Sequence, residues 1–521
     1  MRASNRAGPW TVSLILLLAW EGAGRMGWIA HGAMPAPSAI LHQLWRDRAD
    51  YPPHLLGTLR TAFAGFLIGN LVAIASGIMF VRFRPIERMM AGVNMMLFAM
   101  PPIALTPILI IALSGDAPRV VLAALAVYYP TMAATVLGMT QVDERLCDVV
   151  RVYGGGELAI SRWVRLRSGL PAILAGLRVA APNAVLGSLL AEFGGGGNAG
   201  LGTYLIGSLG RGDPARLWGI GLLATAISAA GYLLFSRAAR IFASDTLSAT
   251  LNVGVTARGP GRFHLADGLI GVTAVCLPVL LWWLCIVVLR GLDVSPIVLR
   301  TPLELVTGLT GGDGAADARD ALWQALGQTL PYCLAGMAAG LAFALLLAVL
   351  GSLQPALDAA LLPVSLISQS MPLVALTPLI VLVFGRGAAA ILAITVSVTF
   401  FPAYVTISQG LSLVPSTAID LVRTYGGDRW RRMRLVILPW SLPYLCTAAR
   451  LCAPRAFLGV MIAEWLATGT GIGNLLNEAR GTLDYGMVWN VAITAVVIAL
   501  GIYLAVRLVE RRVLRRFAVP Q

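Results

Sequence analysis

Apolar residues in this chain do not alternate with polar ones, as they would along half-buried strands. They run in long blocks separated by short polar, often arginine-rich, joins. Twelve blocks are apparent, at roughly 10–30, 55–80, 89–113, 119–140, 172–192, 217–236, 267–289, 322–350, 357–384, 387–408, 443–466 and 488–508. Each approaches the roughly 20 residues that a helix needs to cross the hydrocarbon core of a bilayer. Proline and glycine interrupt several blocks, which membrane helices tolerate when neighbours satisfy the freed backbone groups. The first block follows Arg2 and Arg6, an arrangement shared with signal peptides. With eleven further blocks behind it, we read it as an uncleaved first span. The pattern predicts an all-α membrane protein of about 12 transmembrane helices.

Composition supports this reading. The 521 residues would suggest three or four soluble domains, but 58% are hydrophobic and only 12% charged. Soluble chains carry about 25% charged residues, so lipid must be part of the solvent. The net charge of +14 would point to nucleic acid in a soluble protein; here the basic residues sit in joins between spans. Basic loops face the cytoplasm. Placing the N-terminus there collects Arg82, Arg84 and Arg88, the arginines of 145–167, 237–262 and 423–434, and those of 507–516 on one side. Both termini are thus predicted to be cytoplasmic. Six cysteines form no CxxC pair and the four histidines are scattered, so no metal site or disulfide framework is suggested. No nucleophile–base pair points to an enzyme, and no nucleic-acid partner is expected.

The chain repeats itself at an offset of about 272 residues. MPPIALTPIL at 100–109 returns as MPLVALTPLI at 371–380, RVYGG at 151–155 as RTYGG at 423–427, and LRVAAP at 177–182 as ARLCAP at 449–454. Glu192 in LLAEF matches Glu464 in MIAEW. Six spans separate equivalent positions, so both halves face the same way and form a parallel repeat. We divide the chain into residues 1–250 and 251–521, each with six spans, and expect a pathway on the pseudo-twofold axis between them.

Each half has one long join on the cytoplasmic side, 141–171 and 410–443. The first contains DVVRVYGGGELAISRWVRLRSGLP and the second DLVRTYGGDRWRRMRLVILPWSLP. Both predict a short helix, a glycine break, a second amphipathic arginine-rich helix, and proline at the entry to the next span. One reading is an interfacial helix that binds lipid head groups. The other is a docking element, favoured because the segment recurs at equivalent places with its glycine break kept. Its candidate residues are Asp148, Tyr153, Gly154, Gly155, Arg162 and Arg165 in the first copy, and Asp420, Tyr425, Gly426, Gly427, Arg429, Arg431 and Pro439 in the second.

These segments resemble the EAA loop of the permeases of binding-protein-dependent ABC importers, in which Glu-Ala-Ala is followed after three residues by Gly and later by Ile-x-Leu-Pro. Asp420-Leu421-Val422 takes the Glu-Ala-Ala place, Gly426 is the pattern glycine, and Ile437-Leu438-Pro439 closes it. The nitrate/sulfonate/taurine branch is most similar, through the LPY, Arg-containing span, AE pair and Gly-rich segment from Leu442 to Gly473. The resemblance covers nearly the whole chain twice, as if two permeases were fused. The chain departs from it at Asp148 and Asp420, where the family has Glu, and at Arg167, which stands where the second half has Pro439. The first copy is the less typical docking site.

The resemblance implies a type I importer permease fold and an inner-membrane location. It implies two copies of a cytoplasmic ATPase carrying ATP-Mg, and a periplasmic or lipid-anchored substrate-binding protein. It also implies import of a small solute of the nitrate, sulfonate, taurine or vitamin-precursor class by alternating access. The chain itself is expected to bind no cofactor. All 39 basic residues are arginine, and a Walker A loop needs a lysine. Fused iron-type permeases and a 12-span secondary transporter are the alternatives.

Ionisable and polar residues inside spans are the candidates for the pathway. Glu192 and Glu464 read either as pathway or gate groups, or as helix-end carboxylates held by backbone. Ser365, Ser368 and Gln369 share a helical face, and Asn94 is a polar residue of the equivalent first-half span. A polar cavity wall and helix packing are both open for these.

Overall fold

The computed structural model describes residues 7–28, 32–195, 199–242, 265–291, 294–311, 314–354 and 372–516. Among these, every regular element is a helix. In the first half they are α1 (Ala7–Arg25), α2 (Pro37–Arg46), α3 (Tyr51–Arg82), α4 (Arg84–Ala99), α5 (Pro102–Ala112), α6 (Ala117–Thr140), α7 (Glu144–Val152), α8 (Glu157–Phe193), α9 (Leu201–Leu209) and α10 (Pro214–Phe242). In the second half they are α11 (Leu265–Gly291), α12 (Pro302–Thr310), α13 (Ala315–Leu353), α14 (Leu373–Phe384), α15 (Ala388–Ser412), α16 (Ser416–Thr424), α17 (Arg429–Thr468), α18 (Gly471–Gly481) and α19 (Tyr485–Arg516).

Nine of the described helices are long and apolar enough to cross a membrane, ten if one bent pair is a single span. The bent pair is α4 and α5, which fold the predicted span 89–113 through 95° at Met100-Pro101. Pro101 and Pro102 explain the break, since proline has no amide to donate and keeps its predecessor extended. The predicted span 10–30 ends earlier, at Arg25, and α1 is not among the nine. There Arg25 pairs with Glu21 at 2.6 Å, as their spacing suggests, and Glu21 also takes the Ser38 hydroxyl. Of the predicted span 357–384, the part from 372 is described, as α14.

Each half is built on four long helices packed side by side. In the first, α3 and α8 pack on α6, and α10 packs on α8; in the second, α13 and α17 pack on α15, and α19 packs on α17. Small residues bring the axes close, as membrane packing requires: Gly65, Gly69 and Gly77 of α3 lie against Ala123, Val127 and Thr135 of α6. The halves then exchange elements. Helix α5 reaches α17 and α19 of the second half, and α14 reaches α8 and α10 of the first. Helix α11 lies along α4 of the first half. The interleaving builds one core that continues through both halves. Pro182 and Pro454 lie within continuous helices and do not break them.

Short helices brace one end. Asp47, after α2, accepts two bonds from the Arg216 guanidinium at 2.6 and 2.7 Å. Thr301 and Glu304 form a capping box at α12, and Glu304 also takes Arg290 at 2.8 Å.

Candidate functional site

The two arginine-rich joins fold alike. Helix α7 starts on Asp143, whose carboxylate caps Arg145 N–H, and stops at Tyr153. Gly154 follows with φ +77°, and Gly426 takes φ +72° after α16. Only glycine adopts this left-handed conformation without a Cβ penalty. The amides of Gly155 and Gly427 then return to the Val150 and Val422 carbonyls, both at 2.8 Å, closing a Schellman turn. A Cβ on Gly155 or Gly427 would meet the same valines. Both glycines of each pair are thus required, one for its dihedral angle and one for space.

After the turn, the structure differs from the predicted separate amphipathic helix. Residues from Glu157 and from Arg429 begin the spanning helices α8 and α17 themselves. One π-helical turn follows in each, at 161–165 and 433–437. The arginines therefore sit on the rigid stem of a helix whose 37 or 40 residues extend about 55–60 Å. Pro171 and Pro443, read as entry points, lie inside these helices.

The tips are exposed and partly apolar. Tyr153 is 87% and Tyr425 81% exposed, and Leu158 and Trp430 stand at equivalent positions beside them, also exposed. Asp148 and Asp420 each pair with the arginine three residues on, at 2.8 and 3.5 Å. Arg165 reaches Glu157 at 3.6 Å, and Arg162 and Arg167 flank the Trp163 ring. Asp428 caps the Arg431 amide at 2.9 Å, which sets Arg429 and Arg431 in the first turn of α17. Pro439 follows the π-helical turn. All candidate docking residues thus fall on two equivalent knobs at the same end of the molecule.

At the opposite end of α8 and α17 lie Glu192 and Glu464, each 1% exposed. Glu192 accepts the Thr58 hydroxyl at 2.8 Å, the Ser188 hydroxyl at 3.3 Å and the Gly202 amide at 2.7 Å. Glu464 accepts the Thr329 hydroxyl at 2.8 Å and the Gly473 amide at 3.0 Å. The threonines in turn accept the Leu201 and Ile472 amides, both at 2.9 Å. Each carboxylate and its threonine thus hold buried amides at the start of α9 or α18 that have no partner within the helix, and a negative charge there also complements the helix dipole. A Cβ on Gly200 or Gly471 would run into the carboxylate. The next amide is also held, Gly200 by His54 Nδ1 at 3.2 Å and Gly471 by Gln328 at 2.8 Å. The geometry is that of a held carboxylate pointing into the following helix. Thr58 and Thr329 were not singled out from the sequence, although they are 271 residues apart and the repeat brings them into register.

Beside these cradles the halves meet on an apolar plug. Ile103 and Val374, Leu190 and Ile462, and Phe193 and Trp465, equivalent residues of the two halves, line it together. The space left between them is about 10 Å³, at the limit for one water molecule. Asn94 lies elsewhere, buried and accepting the Tyr128 hydroxyl at 3.1 Å. Ser365, Ser368 and Gln369 lie outside the described residues.

Comparison with known proteins follows the same two-fold division. Residues 65–247 and 336–515 each match the family described as binding-protein-dependent transport system inner membrane component. The chain is similar to the riboflavin transport system permease protein RibX of Chloroflexus aurantiacus, 33% identical over 159 residues, 30% of this chain and 59% of that one. It is similar to the aliphatic sulfonates transport permease protein SsuC of Escherichia coli, described as putative, with 28% identity over 178 residues, 34% of this chain and 68% of that one. The taurine transport system permease protein TauC of Escherichia coli is 27% identical over 246 residues, 47% of this chain and 87% of that one. The match thus spans less than two thirds of the length of the riboflavin relative.

Proposed function

The chain belongs to the family of binding-protein-dependent transport system inner membrane components and carries its unit twice, and on that premise we propose that it forms the whole membrane pathway of an ATP-driven ABC importer. This is a family of transport subunits rather than enzymes. Two copies of a cytoplasmic ATPase bind Mg-ATP and dock on the two knobs. A periplasmic or lipid-anchored binding protein delivers a small solute of the nitrate, sulfonate, taurine or vitamin-precursor class to the opposite face. The knob end is cytoplasmic, in a bacterial inner membrane, with both termini on that side.

The observation that carries this reading is the pair of knobs. Each presents an exposed tyrosine on a turn fixed by two glycines, at the free end of a helix that runs unbroken to the plug. Asp148, Gly154, Gly155, Arg162 and Arg165 shape one knob. Asp420, Gly426, Gly427, Arg429, Arg431 and Pro439 shape the other. Closure of the ATPase dimer on ATP draws the knobs together and rotates α8 and α17 as rigid bodies, a two-state rocking of one half against the other. The plug parts at the far end, where Glu192 and Glu464 fasten α9 and α18 to the moving helices. The cradles make these short helices part of the gate without exposing the carboxylates to the solute.

Single cysteines at Tyr153 and Tyr425 test this. Both are expected to cross-link to one ATPase each in membranes, and ATP binding is expected to change the yield. Cross-linking at neither position, with the ATPase present, would refute the docking assignment.

A further inference from the structure

Helix α17 is walled by α13, α15 and α19 of its own half and by α14, and α5 of the other half touches it. Lipid therefore has little access to it, and 61% of its apolar core is buried. Yet Leu451, Arg455 and Leu458 are only half-buried. Counting on by the helical repeat, these residues and Ile462 fall at i, i+4, i+7 and i+11, a single stripe. Ile462 is a plug residue, so the stripe faces the axis. Helix α8 repeats the arrangement: Val179, Asn183 and Leu186 are half-buried and lead to Leu190 in the plug. Each stripe runs from the plug toward the knob end of its helix.

All but two of these positions are aliphatic. The exceptions are equivalent to each other, Asn183 in one half and Arg455 in the other. Arg455 stands seven residues before Ile462, about 10 Å along the helix, and deep within a 40-residue span. Among the described residues no carboxylate and no hydrogen-bond acceptor engages its guanidinium. The contrast with Arg450, five residues earlier, is direct: that arginine pairs with Glu510 at 3.1 Å. A cation at this depth is costly unless it meets water or an anion, and a guanidinium presents a planar fork suited to an oxyanion.

We propose that Arg455 is the residue that receives the transported solute below the plug, with Asn183 on the facing wall, and that this solute is a small oxyanion, a sulfonate or a carboxylate. The proposal rests on the importer reading and adds to it the charge of the cargo and the half of the chain that recognises it. The second half binds the anion; the first offers a neutral amide. Among the described residues of the two stripes Arg455 is the one cation, so a single positive group would attract the anion without enclosing it.

The test uses the full chain with its copurified ATPase in proteoliposomes. Asn183→Cys is treated with an anionic methanethiosulfonate, the ethylsulfonate, and with the cationic ethyltrimethylammonium reagent. Labelling of the parent chain, which already has six cysteines, is subtracted. Relative to a free thiol, the anionic reagent is expected to react about tenfold faster than the cationic one, the effect of one nearby unit charge in a partly shielded space. Arg455→Gln is expected to abolish the preference and Arg455→Lys to keep it. An unreactive Asn183→Cys, or a preference unchanged in Arg455→Gln, would overturn the proposal. Cells that take up neutral riboflavin through this chain, equally well with Arg455→Gln, would also overturn it while leaving the importer intact. Failure of the parent chain to retain any ATPase would instead strike the importer reading.

Discussion

Replacing Glu464 by alanine removes the acceptor of two buried donors, the Thr329 hydroxyl and the Gly473 amide. A buried donor left without a partner costs about 1–3 kcal/mol. The hydroxyl has a second acceptor within reach, the Ala325 carbonyl at 3.0 Å, so its share is small. The amide has none, and the favourable charge at the start of α18 is lost as well, worth about 0.3–1 kcal/mol. Together these give about 3 kcal/mol, or roughly a 100-fold increase in the local opening of α18. Hydrogen exchange of the amides at 471–476 reads this directly. In Glu464→Gln the side chain keeps one oxygen but turns an NH₂ toward one of the two donors, so we expect a smaller rise of about tenfold. Exchange that is unchanged in Glu464→Ala, in a chain that remains folded, would refute the tether. A variant that loses transport with no change in exchange would return Glu464 to a direct role in the pathway.

Asp47 is expected to link stability to pH. Burial opposes its negative charge, but the Arg216 hydrogen bonds, with Gln43 and the surrounding positive charge, hold its carboxyl below the ordinary aspartate value. A depressed folded-state value stabilises the fold above about pH 4, and the contribution disappears as pH falls through the lower folded value. Asp47→Asn also removes the charged partner of a half-buried guanidinium, at a cost of about 1–3 kcal/mol. Thermal scans should show a lower midpoint than wild type at pH 7 and a narrowing gap below about pH 4; a gap independent of pH would contradict the assignment. Gly426→Ala forces a Cβ into the left-handed region, at about 1–2 kcal/mol. We expect it to lower ATP-driven uptake while the ATPase still copurifies, and normal uptake would argue against a shaped knob. Charge reversal at Arg162 and Arg165 should harm uptake less than Arg429→Glu, since the first knob departs further from the family pattern; a larger defect there would invert the ranking.

Much of this architecture was legible because the chain writes it twice. The Arg-Val-Tyr-Gly-Gly and Arg-Thr-Tyr-Gly-Gly segments announced equivalent turns, and the structure gives them equivalent dihedral angles and hydrogen bonds. The apolar blocks located the long helices, with ends differing by several residues where polar stems extend them. The arginine-rich stretch after each turn read as a separate surface helix because its charge suits an interface. In the structure the π-helical turns at 161–165 and 433–437 carry it into the span, and local sequence does not mark them. The break at Met100-Pro101 had a visible cause in its paired prolines, but the apolar run on both sides concealed it. The partners of Glu192 and Glu464 were hidden for another reason. Each carboxylate meets a threonine more than 130 residues away, and only alignment of the two halves on Thr58 and Thr329 would have suggested it. Arg455 escaped notice because five residues, about 140° around the helix, separate an arginine neutralised by Glu510 from one on the opposite side of α17, a distinction that depends on which neighbours surround that helix.

The central claim is that one polypeptide supplies both halves of the pathway and both docking sites. The most direct measurement is the mass of the complex purified from its own membrane in mild detergent, with each partner identified and counted. The account predicts one copy of this chain with two copies of an ATPase. A chain that retains no ATPase at any ionic strength, yet transports in vesicles without ATP, would contradict it.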